Sequence, residues 1–164
     1  MSRLILVLSI LFAACNATAE PQAYGKLFLG TADAFKTNNA SQYGIEYAFN
    51  KGVSQFDFQP FVGLLRTRYA SHYLYTGFSR TSYFTNSESG LAFQLSFGPG
   101  LYFHGEGDDT DLGHVFELRT SAGLLWRFAD KTQMGVHFSH LSNASIAEVN
   151  PGTELVTITY ELPF

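Results

Sequence analysis

Cysteine, charge and long apolar runs are all scarce in this chain, and each scarcity removes a class of protein. Cys15 is the single cysteine, so no disulfide framework can hold a secreted domain together, and stability must come from backbone pairing and burial. Charged residues make up 15% of the 164 positions, with a net charge of -4 and no basic run, which argues against a nucleic-acid partner. There is no zinc-spaced His/Cys cluster, no phosphate-binding glycine loop and no repeat of roughly 20 to 50 residues. No metal and no cofactor is therefore expected. The one long apolar run, Leu4 to Ala14, falls short of the about 20 residues a spanning helix needs.

That run has a different reading. Arg3 precedes it, and small residues ending Ala17-Thr18-Ala19 follow, the pattern of a secretory signal peptide over residues 1–19 with cleavage before Glu20. Cys15 follows Phe12-Ala13-Ala14, which resembles a bacterial lipoprotein box, so acylation at Cys15 is the alternative to cleavage. The mature domain, residues 20–164, then contains no cysteine.

What the chain does have is aromatics and glycine: 16 Phe, 9 Tyr and 15 Gly, at a mean hydropathy of only +0.01. A transmembrane strand alternates a lipid-facing apolar residue with a polar interior one, so the two faces cancel in any average. Period-two patterning predicts eight strands, near Tyr24 to Thr31, Gln42 to Phe49, Gln55 to Arg68, His72 to Tyr83, Leu91 to Phe103, His114 to Phe128, Gln133 to Asn143 and Glu154 to Phe164. Phe56, Phe58, Val62 and Leu64 oppose Gln55, Asp57, Gln59 and Gly63; Leu91, Phe93, Leu95 and Phe97 oppose Ala92, Gln94, Ser96 and Gly98. The expected fold is an eight-stranded antiparallel transmembrane β-barrel of the bacterial outer membrane. Side chains just fill the lumen of so small a barrel, so Glu46, Asp57, Glu117, Arg119, Arg127 and Glu161 are expected to form a buried ionic network, not a pore.

Loop lengths orient it, because such barrels have short periplasmic turns and longer external loops. Asn50 to Ser54 and Ala129 to Thr132 are short, whereas His104 to Leu112 and Ala144 to Thr153 are longer and polar. The alternating end Tyr160-Glu161-Leu162-Pro163-Phe164 resembles the C-terminal signal read by the barrel-assembly machinery, a partner expected during insertion.

On this topology His140, Ser142 and Glu154 stand at outer-leaflet height. Met134, Val136 and Phe138 share the face of His140 and Ser142, and Val156, Ile158, Tyr160 and Leu162 share that of Glu154, so all three point to lipid. Neighbouring strands bring such residues within about 5 to 8 Å. A nucleophilic Ser142, a general base His140 and an orienting Glu154 compose a serine-hydrolase triad. Asn143 is the oxyanion or substrate-positioning candidate, although its parity is opposite to that of Ser142 and a strand end or bulge must aim it. The nearby pair His137 and Ser139 falls on the interior face and lacks an acid twelve residues on, where Pro151 stands; His137 is expected to be a hydrogen-bonded lumen histidine. Glu148 is a loop carboxylate, and His72, His104 and His114 are expected at the surface or girdle. On spacing alone, His140, Ser142 and Glu154 are equally readable as polar girdle residues, where a charge costs about 0 to 1 kcal/mol.

The tail His140-Leu141-Ser142-Asn143-Ala144, with Glu154 and the terminal strand, resembles the lipid A 3-O-deacylase family, the PagL-type eight-stranded outer-membrane esterases. The resemblance implies that His140, Ser142 and Glu154 form the triad and that Asn143 matches the family's oxyanion asparagine. It also implies hydrolysis of the ester at position 3 of lipid A, releasing a 3-hydroxy fatty acid from lipopolysaccharide. The detailed match covers about the last 30 residues. Two other readings stand beside it: a non-catalytic structural or adhesin-like barrel, and an esterase acting on phospholipids. Arg66, Arg68 and Arg80, expected toward the second external loop, are candidate contacts for lipid A phosphates. A homodimer is the remaining partner expectation.

Overall fold

The computed structural model describes residues 22–50, 52, 57–85 and 87–164. The expected signal peptide, the cleavage site before Glu20 and the Cys15 alternative lie outside the described residues, as do Gln55 and Phe56. Eight strands follow in order: β1 (Tyr24–Ala32), β2 (Ala40–Ala48), β3 (Gln59–Thr67), β4 (His72–Tyr83), β5 (Gly90–Phe103), β6 (Phe116–Arg127), β7 (Gln133–Ser142) and β8 (Thr153–Pro163). Each pairs antiparallel with its sequence neighbour, and β1 pairs with β8, so the sheet closes. Closure leaves no edge strand with unpaired backbone groups, which is what a hydrocarbon environment demands.

The alternation in sequence becomes two faces. Leu27, Leu29, Ile45, Val62, Leu64, Leu74, Phe78, Leu124, Trp126, Val136 and Ile158 are exposed on the outside, the belt that meets lipid. Inside, the lumen is filled more by aromatic rings than the sequence suggested. Phe61, Tyr73 and Tyr75 are buried, with Tyr73 and Tyr75 stacked at a centroid distance of 5.2 Å. Glycine makes room for them: a Cβ at Gly63 would lie 2.4 Å from the Tyr75 ring, and one at Gly123 would lie 2.3 Å from that of His137.

The charged core differs from expectation in membership. Lys26, on the inward face of β1, bridges Glu46 and Glu161 at 3.0 Å each, and Arg119 lies 3.6 Å from Glu46. Tyr75 donates to Glu46 and Lys26 donates to Gln94. Asp57 takes no part, because β3 starts only at Gln59 and Asp57 stands in a turn at φ 53°. Arg127, the last residue of β6, stacks on Tyr83 and donates to the Ser87 and Glu88 carbonyls at the inner rim. Glu117 is fully buried but outside the network, its carboxylate oxygens without a hydrogen-bond partner among the described residues. His137 is inside as expected, yet its Nε2 is also unpartnered.

At the outer end, loop residues fold over the lumen. Asp33, Asp109 and Leu112 are buried there, and the space left between Asp33, Thr67, Tyr102, Asp109, Thr110 and Leu155 is about 20 Å³. Arg66 and Arg68 are exposed at this end. Arg80 is not: it pairs with Leu95 near the inner end of β4, because that strand runs back toward the inner turn.

Candidate active site

β7 climbs to the outer rim and β8 descends beside it, in a register that places His140 directly opposite Glu154. The His140 Nδ1 lies 3.4 Å from Glu154 Oε1, with 46% of the imidazole and 31% of the carboxylate side chain accessible. This is a loose contact beside the 2.7 to 2.9 Å or so of a tight charge-assisted bond, as is common for such groups before substrate arrives. Because Nδ1 faces the carboxylate, Nε2 is the nitrogen left to meet a nucleophile. Ser142, half-buried, ends β7 on the same face, about 6.6 Å along the strand from His140. No hydrogen bond joins Ser142 to His140 among the described residues.

Two neighbours shape the histidine that the sequence motif did not reveal. Gly152 holds φ +61°, and a Cβ there would lie 2.9 Å from His140 Cε1 and 3.4 Å from Nε2. Only glycine accommodates both the left-handed backbone and the ring. Phe138, two residues before His140 on the outer face, carries the ring of Phe35 at 6.0 Å. Phe35, Ile146 and Val149 are 75%, 62% and 60% exposed, which gives the loops after β1 and β7 an apolar rim.

The 143–152 loop explains Asn143. Its side chain is fully buried, its Nδ2 donates to the Val149 carbonyl at 2.8 Å, and its backbone N–H donates to Asn150 Oδ1 at 3.0 Å. Its own Oδ1 accepts the Ser145 N–H, and its carbonyl accepts that of Ile146, both at 3.0 Å. The turn so closed has Ala144 at φ 52° and Ser145 at φ 62°, two left-handed non-glycine residues directly after Asn143. Such backbone costs of order 1 kcal/mol or more per residue and persists only where surrounding bonds impose it. Asn143 supplies those bonds, so its donors are engaged in the loop and face away from the lipid side.

Parity sorts the decoy correctly: His137 and Ser139 are both buried, and Ser139 Oγ accepts from Arg119 at 3.2 Å. Glu148 is exposed in the loop. His104 leans on Asp109 at 3.8 Å, while His114 is exposed.

Behind the acid end, Asp33 is 2% exposed and tied to three loops. Its carboxylate accepts from the Thr110 N–H and hydroxyl and from Thr153 Oγ1, and it pairs with Lys36 at 2.8 Å. Burial raises its pKa, but the bonds from Lys36, Thr110 and Thr153 outweigh that and hold the carboxyl below its ordinary value.

Residues 24–163 match the family model described as Lipid A 3-O-deacylase (PagL). The chain belongs to the PagL family. A curated relative, Lipid A deacylase PagL of Bordetella bronchiseptica, is 36% identical over 56 residues, an alignment that spans 34% of this chain and 32% of that protein. The crystal structure of the outer membrane enzyme PagL superposes with a TM-score of 0.71 at 18% identity, covering 86% of this chain and 99% of that one. A de novo designed transmembrane β-barrel also superposes, with a TM-score of 0.58 at 13% identity over 88% and 98% of the two chains. The designed barrel shares the architecture, so the barrel alone does not set this chain's role. The PagL assignment makes the outer membrane its place, and the lipid-facing belt agrees with it.

Proposed function

We propose that the protein is a lipid A 3-O-deacylase with Ser142, His140 and Glu154 as its triad. The observation that carries this reading is the cross-strand His140 and Glu154 pair, with Ser142 ending the same strand; the loop lengths put that end of the barrel at the outer leaflet. The outer leaflet is where lipopolysaccharide lies, and an ester of lipid A presents its carbonyl at that depth.

In the reaction, Ser142 Oγ attacks the carbonyl of the ester at position 3 while His140 Nε2 accepts its proton. Glu154 holds Nδ1–H and stabilises the imidazolium that forms. The imidazolium then returns the proton to the departing sugar oxygen, leaving an acyl-Ser142. Water, deprotonated by the same nitrogen, releases the 3-hydroxy fatty acid and restores the serine. Asn143 takes a positioning role in this scheme, holding the strained 143–146 turn that fixes Ser142. Phe35, Phe138, Ile146 and Val149 offer apolar surface to the acyl chains, and exclusion of water by those chains strengthens the polar contacts of the triad.

The test is to incubate detergent-refolded protein and Ser142→Ala with lipopolysaccharide and weigh the lipid A by mass spectrometry. Loss of one 3-hydroxyacyl group with the wild type only is expected. Inert but folded protein on both lipopolysaccharide and phospholipid would return the chain to the structural-barrel reading, and cleavage of phospholipid alone would move it to the phospholipase one.

A further inference from the structure

The chemistry above uses β7 and β8 alone, yet the most densely bonded polar group near the site comes from the opposite side of the closing seam. β1 and β8 pair as far as Ala32 and Leu155. Beyond that point the chain does not leave the sheet: the Ala34 N–H donates to the Glu154 carbonyl at 3.0 Å. Asp33 and Thr153 exchange two bonds, the Asp33 N–H to Thr153 Oγ1 at 3.1 Å and the Thr153 hydroxyl to Asp33 Oδ1 at 2.9 Å. Lys36 Nζ reaches the Gly152 carbonyl at 3.3 Å as well as the Asp33 carboxylate. Three consecutive residues, Gly152, Thr153 and Glu154, are thus held by the segment 33–36. A Cβ on the first would meet the His140 ring, and the last is the acid.

We infer that Asp33 is a positioning residue of the triad, fixing through Thr153 and Lys36 the backbone from which Glu154 meets His140. Several features make this more than loop packing. Asp33 is nearly fully buried and stands at φ 52°, a left-handed conformation that aspartate adopts more readily than most residues and that turns the chain while its carboxylate stays inside. Thr110 Oγ1 and its backbone N–H saturate the far side of the carboxylate at 2.7 and 2.9 Å, so the aspartate is gripped from the 104–115 loop while it grips β8. Glu154 itself is a third exposed and contacts His140 at only 3.4 Å; its side chain does not lock the pair, and its backbone must. The 33–36 segment also lays Phe35 on Phe138, which ties the same strap to the strand of the histidine.

This inference rests on the proposed triad, and its test separates the two. Asp33→Asn keeps shape and tolerates the left-handed backbone, but sets an amide N–H against either the Thr110 N–H or the Lys36 ammonium and takes away the counter-charge of Lys36. Thr153→Val removes the reciprocal hydroxyl alone, and Thr153→Ser restores it. Each refolded variant is assayed on lipopolysaccharide for kcat and KM, and its Ser142 labelling rate by a small fluorophosphonate is measured in parallel. Heat-dependent gel mobility gives the folded fraction.

Displacing a reacting group by about 1 Å costs as much as 10²-fold. The expected result for Asp33→Asn and Thr153→Val is a kcat loss of roughly 10- to 100-fold, with KM within about twofold, the same loss in labelling rate, and recovery in Thr153→Ser. Wild-type rates in both variants, a change in KM alone, or a loss that merely tracks the folded fraction would overturn the positioning role. Wild-type protein that labels at Ser142 but leaves lipid A intact sinks the substrate and leaves the Asp33 result readable. If the wild type neither labels nor cleaves, the triad and the positioning role fall together.

Discussion

At the scale of single residues, the site combines groups that a motif displays with groups that only geometry reveals. The motif positions make the simplest prediction. Ser142→Ala and His140→Ala should abolish deacylation, and Glu154→Gln, which keeps the shape but not the charge, should lower kcat by about 10²- to 10⁴-fold, read from initial rates on lipopolysaccharide. Gly152→Ala adds a Cβ at φ +61° and 2.9 Å from His140 Cε1. It should cost about 1 to 2 kcal/mol of backbone strain and reduce kcat by displacing the ring. If a refolded Gly152→Ala protein turns over at the wild-type rate, the ring is not seated as described. Asn143 illustrates a limit of spacing: it adjoins Ser142 in sequence, but period two sends its side chain inward. His140 and Ser142 were legible because a polar pair on an otherwise apolar face breaks the pattern. Asp33, Thr153 and Gly152 were not, since their bonds join segments about 120 residues apart and each resembles an ordinary loop residue.

At the scale of elements, the strands and nearly all their ends are readable, the start of β3 being the exception. Alternation locates β4, β5 and β7 to within a residue or two, because exposed apolar and buried positions differ strongly in residue type. The expected β3 runs too far back at Asp57, where alternation continues in sequence while the backbone turns. Arg80 was misplaced for a related reason: in a run as long as β4, height in the membrane depends on which end is counted from. The loops carry the pH response. Asp33, with its carboxyl held below the ordinary value near 3.9, adds stability that is complete above that value and lost as pH falls through the lower folded one. The outer loops should therefore hold at pH 5 and loosen below about pH 4, seen as lower protection factors at Ala34 and Thr110, relative to intrinsic exchange at each pH, while strand amides stay protected. Equal protection factors at both pH values would contradict the assigned role of that carboxylate. Phe35→Ser should raise KM for lipopolysaccharide several-fold, because it trims the apolar rim; an unchanged KM would remove the rim from substrate binding.

At the scale of the whole molecule, the lumen holds the cylinder together from within. Lys26 serves Glu46 and Glu161 at once, linking β1 to both of its neighbours across the seam. Removing one partner of a buried ion pair costs about 3 to 5 kcal/mol, so Lys26→Met should lower the unfolding free energy of refolded protein by roughly that amount in urea titrations. A change under about 1 kcal/mol would mean that the pair is nearly balanced by desolvation. The sequence announced a filled lumen but not its key cation, because Lys26 sits between aromatic residues in a strand whose inward face reads as apolar: Tyr24, Lys26 and Phe28.

The seam itself has a further consequence for the life of the protein. β7 and β8 are adjacent in the chain, so His140, Ser142 and Glu154 can come together in a lone hairpin, but the strap of Asp33, Ala34 and Lys36 arrives only when the first strand docks on the last. On the roles proposed for these residues, a chain whose first strand has not yet docked on the last would hold Glu154 without its brace, so that hydrolysis would begin only once the cylinder has closed.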